Sequence, residues 1–554
     1  MTETTRTRLR DHLLLLVLAL GLLLPGQAGI PPIDRDESRY AVATSQMLAT
    51  GNFLDIRYQD VPRYLQPAGI YWLQSASVAL FSSPQAREIW AYRLPSLIGA
   101  IAAVLLTAQL ASGLFGRVAG LAAGVLLATS LALGVEARTA KIDAMLLAAV
   151  VAAQSALALL YLGRAARPRM AAAVFWIALA VGVMLKGPII LMVSGLTIAA
   201  LVAWDRRATW LSRLHAHWGV PLMAAIILPW LIAIAIETEG EFFARAIGQN
   251  LLGKVATGQQ AHGAPPGYHL AVFTAAFWPG SLFAVLAIPH AWRTRARPET
   301  RFLIAWIVPV WIVFELIATK LPHYVLPTYP AIACLAAAGL VSTWPGLPAG
   351  RARYAVGGYV ALWMLMAVVL AAAAPGIIFY LEHRLDWVAV ALGLVAMALA
   401  ALTVSLILRR APVAALAAAS CAAGLIWVNT FGLTLPGLNT LWMSQRVVRA
   451  VDAASPCAET QLVTTPYHEP SLVFLHGFAE TELAKTPAEA ADFLAAHAEC
   501  GVALVGHAQQ DAFLARAATL GTAPRPAGQV EGQNYSNGRW LSLTLYVLGA
   551  GTGR

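Results

Sequence analysis

An all-α polytopic membrane protein with a C-terminal soluble α/β domain is the fold class this 554-residue sequence predicts, and three observations predict it. Hydrophobic residues make up 59% of the chain and charged residues 12%, against roughly one quarter charged in an ordinary soluble domain. Apolar runs of about 20 residues, the length that crosses a bilayer, recur along most of the chain. From about residue 440 they give way to polar turns and amphipathic stretches.

The composition excludes a soluble globular enzyme and also shapes the reading of the net charge of +10. No basic cluster is interleaved with stacking aromatics in a polar domain, so no nucleic-acid partner is expected. The first apolar run, about 12–30, follows Arg6, Arg8 and Arg10 and resembles a secretory leader. Because many spans follow it, it reads as a retained first helix. Further spans are expected at 92–114, 117–135, 140–162, 170–185, 188–204, 217–236, 269–290, 301–318, 325–343, 353–373, 386–408 and 412–432, about thirteen in all.

Alternate loops separate by charge, as they do when Lys and Arg are retained in the cytoplasm. With the N-terminus inside, the inner loops hold Arg117, Arg164/Arg167/Arg169, Arg206/Arg207/Arg213, Arg293/Arg295/Arg297/Arg301, Arg351/Arg353 and Arg409/Arg410, with Asp205 and Glu299 the acids among them. The outer segments are longer, mixed in charge and rich in Tyr, His and Pro. An odd span count leaves the tail outside. The expected organisation is a membrane domain over 1–435, with surface-helix loop 31–91 and loop 238–268 outside, and a soluble domain over 440–554.

In that tail Gln461–Thr465, Val502–Gly506 and Leu541–Val547 read as strands, and 487–498 and 509–519 as helices. Cys457 and Cys500 would face an oxidising compartment, where a disulfide and two separate buried thiols are equally compatible with the sequence. Tyr467-His468-Glu469 reads as a strand-end turn, with a structural or acceptor-guiding role.

The chemistry is expected at the outer ends of the spans. Asp34, Asp36 and Glu37 open a surface helix with Arg39 and Tyr40, where helix capping and surface ion pairing compete with a functional role. Glu136, Arg138, Lys141 and Asp143 crowd one turn, Lys186 precedes a Gly-Pro break, and Lys320 stands with His323 and Tyr324. Charges at membrane depth are costly and usually face a cavity or a partner, so a one-sided collection points to a shared site. Arg245, Asn250 and Lys254 occupy another outer segment, against the positive-inside trend. Lys186, Arg245, Lys254 and Lys320 together suit a phosphate or diphosphate headgroup whose hydrocarbon tail stays in the bilayer, although any one of them could simply reach toward anionic lipid.

No cofactor is required: the chain has no Walker loop and no GxGxxG after a strand. A divalent metal has only weak candidates, His262 and His323, which lack an HExxH or paired spacing. Energy for a reaction must therefore come with the substrate.

Asp36-Glu37-Ser38-Arg39-Tyr40-Ala41 resembles the DExRYA motif of the bacterial aminoarabinose transferases, in the protein-mannosyltransferase-like branch of the GT-C glycosyltransferases. Tyr64-Leu65-Gln66-Pro67 through Tyr71-Trp72 resembles that family's YFxKPPxxYW stretch, Lys186-Gly187-Pro188 its KG turn, and Lys320-Leu321-Pro322-His323-Tyr324-Val325-Leu326-Pro327 its KLPxYxLP motif. The likeness covers roughly residues 10–435 and says little about the tail.

The resemblance implies a GT-C fold and an undecaprenyl-phosphate-linked sugar donor. It implies inverting transfer of 4-amino-4-deoxy-L-arabinose to lipid A phosphate at the outer face of a bacterial inner membrane, a change that gives polymyxin resistance. No protein partner is implied beyond the membrane lipids themselves. By position Asp36 resembles the essential carboxylate, Lys186 and Lys320 phosphate contacts, and Asp143 a conserved acid. Gln66 departs from the family lysine, with Arg63 or Arg57 as candidates to supply the lost contact, and Asn250 with Lys254 stand where relatives tend to carry His and Arg. Transfer to protein or glycan, or flipping of the lipid-linked sugar, remain the alternative functions. Flippases tend to show repeats and a mid-membrane site, and neither is visible here.

Overall fold

The computed structural model describes residues 3–253, 263–342, 350–454, 457 and 459–548. Helices occupy the expected spans. Among the described residues eight are long and apolar enough to cross a membrane, or nine if the pair Tyr268–Ala276 and Gly280–Thr294, bent by 116°, is one span. Of the other expected spans two are long enough but carry several charged residues, Glu3–Leu23 and Pro298–Leu316, and two are shorter or interrupted. Thus 117–135 divides at Thr129–Ser130, and Ile189–Asp205 is an apolar helix of 17 residues.

In chain order, α1 (Glu3–Leu23) leads through a turn to α2 (Asp36–Thr50), the hairpin β1 (Arg57–Tyr58)/β2 (Val61–Pro62) and α3 (Gly69–Phe81). Segment 31–91, read in the sequence as surface helices, holds α2, the hairpin and α3. α2 stops because Gly51 takes the left-handed conformation, φ 69°, at its end. Then follow α4 (Ile89–Phe115), α5 (Arg117–Ala128), α6 (Leu131–Glu136), α7 (Asp143–Tyr161), α8 (Pro168–Lys186), α9 (Ile189–Asp205) and α10 (Ala216–Glu237). Small residues let them pack closely. A Cβ on Gly99 would stand 2.6 Å from Met145 Cα, and one on Gly69 2.6 Å from the Met184 carbonyl oxygen, so α3 lies directly against the end of α8 that carries Lys186.

The 19 residues of α7 span roughly 28 Å and separate two differently charged poles. At its C-terminal end the arginine loops find their few acids: Arg301 and Tyr161 bind Asp205, and Arg164 binds Glu299. At its N-terminal end lie the candidate site and the tail domain.

That second pole is organised by a buried ion pair. Arg93, inside the apolar run of α4, is fully buried and meets Glu37 in two 2.8 Å contacts. Its remaining hydrogens go to the carbonyls of Gln27, Ile30 and Pro31. Glu37 also accepts from the backbone N–H of Ile33 and of Ala140, at 2.8 and 2.7 Å. Arg138 donates to the carbonyls of Leu22, Pro25 and Gly134. One network thus ties the end of α1, the start of α2, α4 and the turn before α7.

The tail forms a five-stranded sheet of β3 (Gln461–Thr465), β4 (Thr481–Leu483), β5 (Gly501–Gly506), β6 (Pro524–Asn534) and β7 (Arg539–Leu548), in spatial order β4-β3-β5-β7-β6. β3 is parallel to β4 and β5, whereas β7 is antiparallel to β5 and β6. Helices Pro487–Ala496 and Gln510–Thr519 pack on it, and Cys457 and Cys500 are joined in a disulfide. β6, rich in Pro, Gly and polar residues, is an edge strand that the sequence reading did not contain.

The tail docks on α2, the hairpin and the start of α4. Phe474 meets Tyr92 edge-on at 5.1 Å within a shared apolar cluster, and Gln59 donates to the carbonyls of Phe478 and Thr481. Asp34 is buried in this junction, where its carboxylate accepts from the Ser471 N–H at 3.0 Å. Burial, followed by the nearby Glu469 charge, pushes the Asp34 carboxyl up to about 6 against the pull of the Ser471 hydrogen bond.

Because this value lies above the ordinary 3.8, the favourable contribution is complete below about pH 4 and is lost as pH rises through 6. Between pH 5 and 7.5 the docked state should lose about 1 to 2 kcal/mol. Asp34→Asn should flatten that dependence when thermal unfolding of the purified protein is followed across the same range.

Candidate functional site

The turn from α6 to α7 sets Glu136, Lys141 and Asp143 side by side, and the ends of two other elements close on them. Lys141 Nζ is 3.1 Å from Glu136, and Lys186 Nζ, at the last residue of α8, is 2.5 Å from Asp143. His323, on the short 3-10 segment Pro322–Thr328, lies between the pairs: Nδ1 is 3.4 Å from Glu136 and Nε2 is 3.8 Å from Asp143. The side chains of Asp143, Lys186 and His323 are 12–20% exposed, so solvent screens them little. Lys186 also faces the Tyr324 ring at 5.8 Å.

A second layer comes from the surface helices. Tyr40 and Tyr71 are buried with rings 5.4 Å apart, and the Arg63 guanidinium sits over Tyr40 at 4.9 Å while donating to the Tyr71 hydroxyl at 3.1 Å. Gln66, standing where the similar family has lysine, donates to the Tyr40 hydroxyl. Arg63 is 8% exposed, and among the described residues it pairs with no carboxylate. Asp36 is exposed at the first residue of α2, and its field is felt at Tyr40, Arg63 and Lys141. The structure thus brings together Asp36, Tyr40, Arg63, Asp143, Lys186, His323 and Tyr324.

Other expected residues form a separate group at the side. Arg57 pairs with Asp55 at 3.0 Å, Tyr64 donates to Asp55 at 2.8 Å, and Arg245 pairs with Glu241 and lies 5.9 Å from the Tyr64 ring. Beside them an open cleft of about 650 Å³ runs between the end of α2 and α10, walled by Phe53, Trp72, Pro229 and Trp230. Lys320 is buried and donates to the carbonyls of Ala264 and Ile317, which fastens its own loop. Arg39 acts on Tyr58 near the tail junction. Glu37, a catalytic candidate in the sequence, is buried and held in the Arg93 pair. Lys254, His262 and the side chain of Asn250 lie outside the described residues.

Glu136 and Lys141 read in the sequence as members of the one-sided collection of charge, with no individual role; the density of charge in that turn was the available signal. Arg93 had a fainter one, a lone cation inside an apolar run. Glu136, Asp143 and His323 offer ligand atoms within 4.8 Å of one another, the spacing of a metal site. Two ammonium groups already occupy these carboxylates, which leaves Glu136 Oε2 as the unpartnered buried oxygen of the set. A divalent ion would have to displace a lysine. Each ammonium is held in place by its carboxylate.

Residues 32–240 match the family model described as Dolichyl-phosphate-mannose-protein mannosyltransferase. Over 368 residues the chain is 28% identical to an undecaprenyl phosphate-alpha-4-amino-4-deoxy-L-arabinose arabinosyl transferase of Pseudomonas savastanoi pv. phaseolicola, covering 63% of this chain and 64% of that one. A relative of the same name from Erwinia tasmaniensis is 28% identical over 352 residues, 62% of each chain. The chain thus spans a little under two thirds of the length of these curated relatives. Crystal structures of ArnT from Cupriavidus metallidurans, in the apo state and bound to undecaprenyl phosphate, superpose with TM-scores of 0.72 and 0.73 over 98% of both chains, at 18% and 17% identity.

If the lysine–carboxylate pairs act as units, the Asp143→Ala and Lys186→Ala variants should each lower the thermal midpoint, and the double variant should lose less than the sum. A coupling of about 1–3 kcal/mol is expected from the cycle. Purely additive losses would show that the pair contributes nothing as a pair.

The likeness over 98% of both chains shows the fold: this is a multi-span membrane protein with an ArnT-like GT-C fold and a small C-terminal sheet domain, and its residues 32–240 resemble the protein-mannosyltransferase family model.

Proposed function

We propose that the chain is an integral membrane glycosyltransferase that moves 4-amino-4-deoxy-L-arabinose from undecaprenyl phosphate to a lipid A phosphate. The carrying observation is the cluster of Lys141, Lys186 and Arg63 around Asp143, Glu136 and His323, at the pole where the tail domain docks. The names of the relatives and the undecaprenyl phosphate in the Cupriavidus structure support the donor class. The arginine loops at the opposite pole support an N-terminus in the cytoplasm of a bacterial inner membrane, with the site outside.

In the proposed reaction the donor's hydrocarbon tail stays in the bilayer and its phosphate meets Lys186 and Arg63. Among the described residues Arg63 is a buried cation that pairs with no carboxylate, and a phosphate supplies a counter-charge. The acceptor phosphate, already anionic near neutral pH, attacks the anomeric carbon. The bond from that carbon to the donor phosphate oxygen breaks, and the electron pair leaves on the phosphate. Cations fixed before the reaction stabilise the charge that develops there. Asp36, exposed above the cluster, stabilises positive charge on the sugar ring or orients the acceptor. Lipid A would lose negative charge, which is the basis of polymyxin resistance.

Mass analysis of lipid A from cells with and without the chain should show an added pentosamine mass only when the chain is present. Unchanged lipid A would assign the site to another acceptor. Asp36→Asn should lower transfer at least about a hundredfold. Arg63→Ala should raise the donor KM, with Arg63→Lys recovering part of it, whereas an unchanged KM in Arg63→Ala would remove Arg63 from the phosphate site.

A further inference from the structure

The loop that presents Asp36 is held from both sides. On the membrane side Glu37 is locked by Arg93 and the Ala140 N–H. On the other side all three contacts come from the tail domain, more than 430 residues away in sequence. Asp34 N–H donates to the Tyr535 hydroxyl at 2.7 Å, Asp34 Oδ1 accepts from the Ser471 N–H at 3.0 Å, and Arg35 Nη2 donates to the Ser536 carbonyl at 2.6 Å.

Between these anchors Arg35 adopts φ 66°, ψ −105°, a conformation that a residue with a Cβ rarely takes and that persists only when its surroundings impose it. The Tyr535 ring is itself packed against Trp442 at 5.9 Å, and Asn534 donates to Glu469 at 2.6 Å, so the loop that grips Asp34 is braced inside the tail.

We propose that the C-terminal domain is a positioning device for transfer: through Tyr535, Ser536 and the Ser471 N–H it holds Asp34 and Arg35 in the strained turn that aims Asp36 over the lysine cluster. Tyr535 and Ser471 are thus positioning residues acting through Asp36. This inference rests on the proposed role of Asp36. A domain tied on only for stability has no need to grip the two residues preceding that carboxylate. The other tail contacts, such as Gln59 with the carbonyls of Phe478 and Thr481, fasten the same domain elsewhere.

Two variants separate positioning from docking. Tyr535→Phe removes the acceptor of the Asp34 N–H, whereas Gln59→Ala removes a docking contact away from the loop. In the full chain Tyr535→Phe should lower kcat about tenfold or more with the donor KM unchanged, the mark of a displaced group and not of lost binding. Gln59→Ala should leave kcat unchanged. Hydrogen exchange at residues 33–38 should quicken in Tyr535→Phe and not in Gln59→Ala. That readout needs no turnover, so it tests the grip even if lipid A proves not to be the acceptor. Equal kcat losses in both variants, full kcat in Tyr535→Phe, or unchanged exchange at residues 33–38 would each overturn the proposal.

Discussion

The architecture of the active pole depends on the buried pair of Glu37 and Arg93. Taking two charges out of water is costly, and the cost is met only because every donor and acceptor has a partner: Arg93 has Glu37 and three carbonyls, and Glu37 has Arg93 and two backbone N–H groups. Those partners come from α1's end, α2's start and the turn before α7. Removing either charge would leave the other buried and alone, and the two layers of the site would lose their common reference. The pair therefore acts less as a source of stability than as a registration point between the surface helices and the membrane helices.

On that frame the chemistry is a matter of held cations. Each of Lys141 and Lys186 is paired with an acid, which holds its ammonium in place. Among the described residues Arg63 lies over Tyr40 without such an acid, and Gln66 has turned its amide to the same tyrosine. The substitution of the family lysine by Gln66 thus leaves the layer with a cation, supplied from three residues earlier in the chain.

Much of this was legible in the sequence because membrane-embedded charge is rare and therefore informative. The apolar runs marked the helices, and Asp143 ahead of an apolar stretch marked the inner cluster. Lys186 was legible for the same reason. Glu37 was not: beside Asp36 it reads as a second catalytic acid, and only a partner 56 residues away shows it as an anchor. Lys320 reads as a phosphate ligand until its ammonium is seen holding two carbonyls. The 116° bend between Tyr268–Ala276 and Gly280–Thr294 lies inside one continuous apolar run, which carries no angle. β6 escaped because edge strands tolerate Pro and Gly. The grip of Tyr535 on Asp34 joins distant segments and leaves no local pattern at all.

The most direct measurement of the central claim is a structure of this protein with undecaprenyl phosphate bound. The account predicts the phosphate within hydrogen-bonding reach of Lys186 and Arg63, below Asp36, with its tail leaving sideways into the bilayer. A phosphate seated at the arginine loops of the opposite pole, or held without either cation, would contradict it.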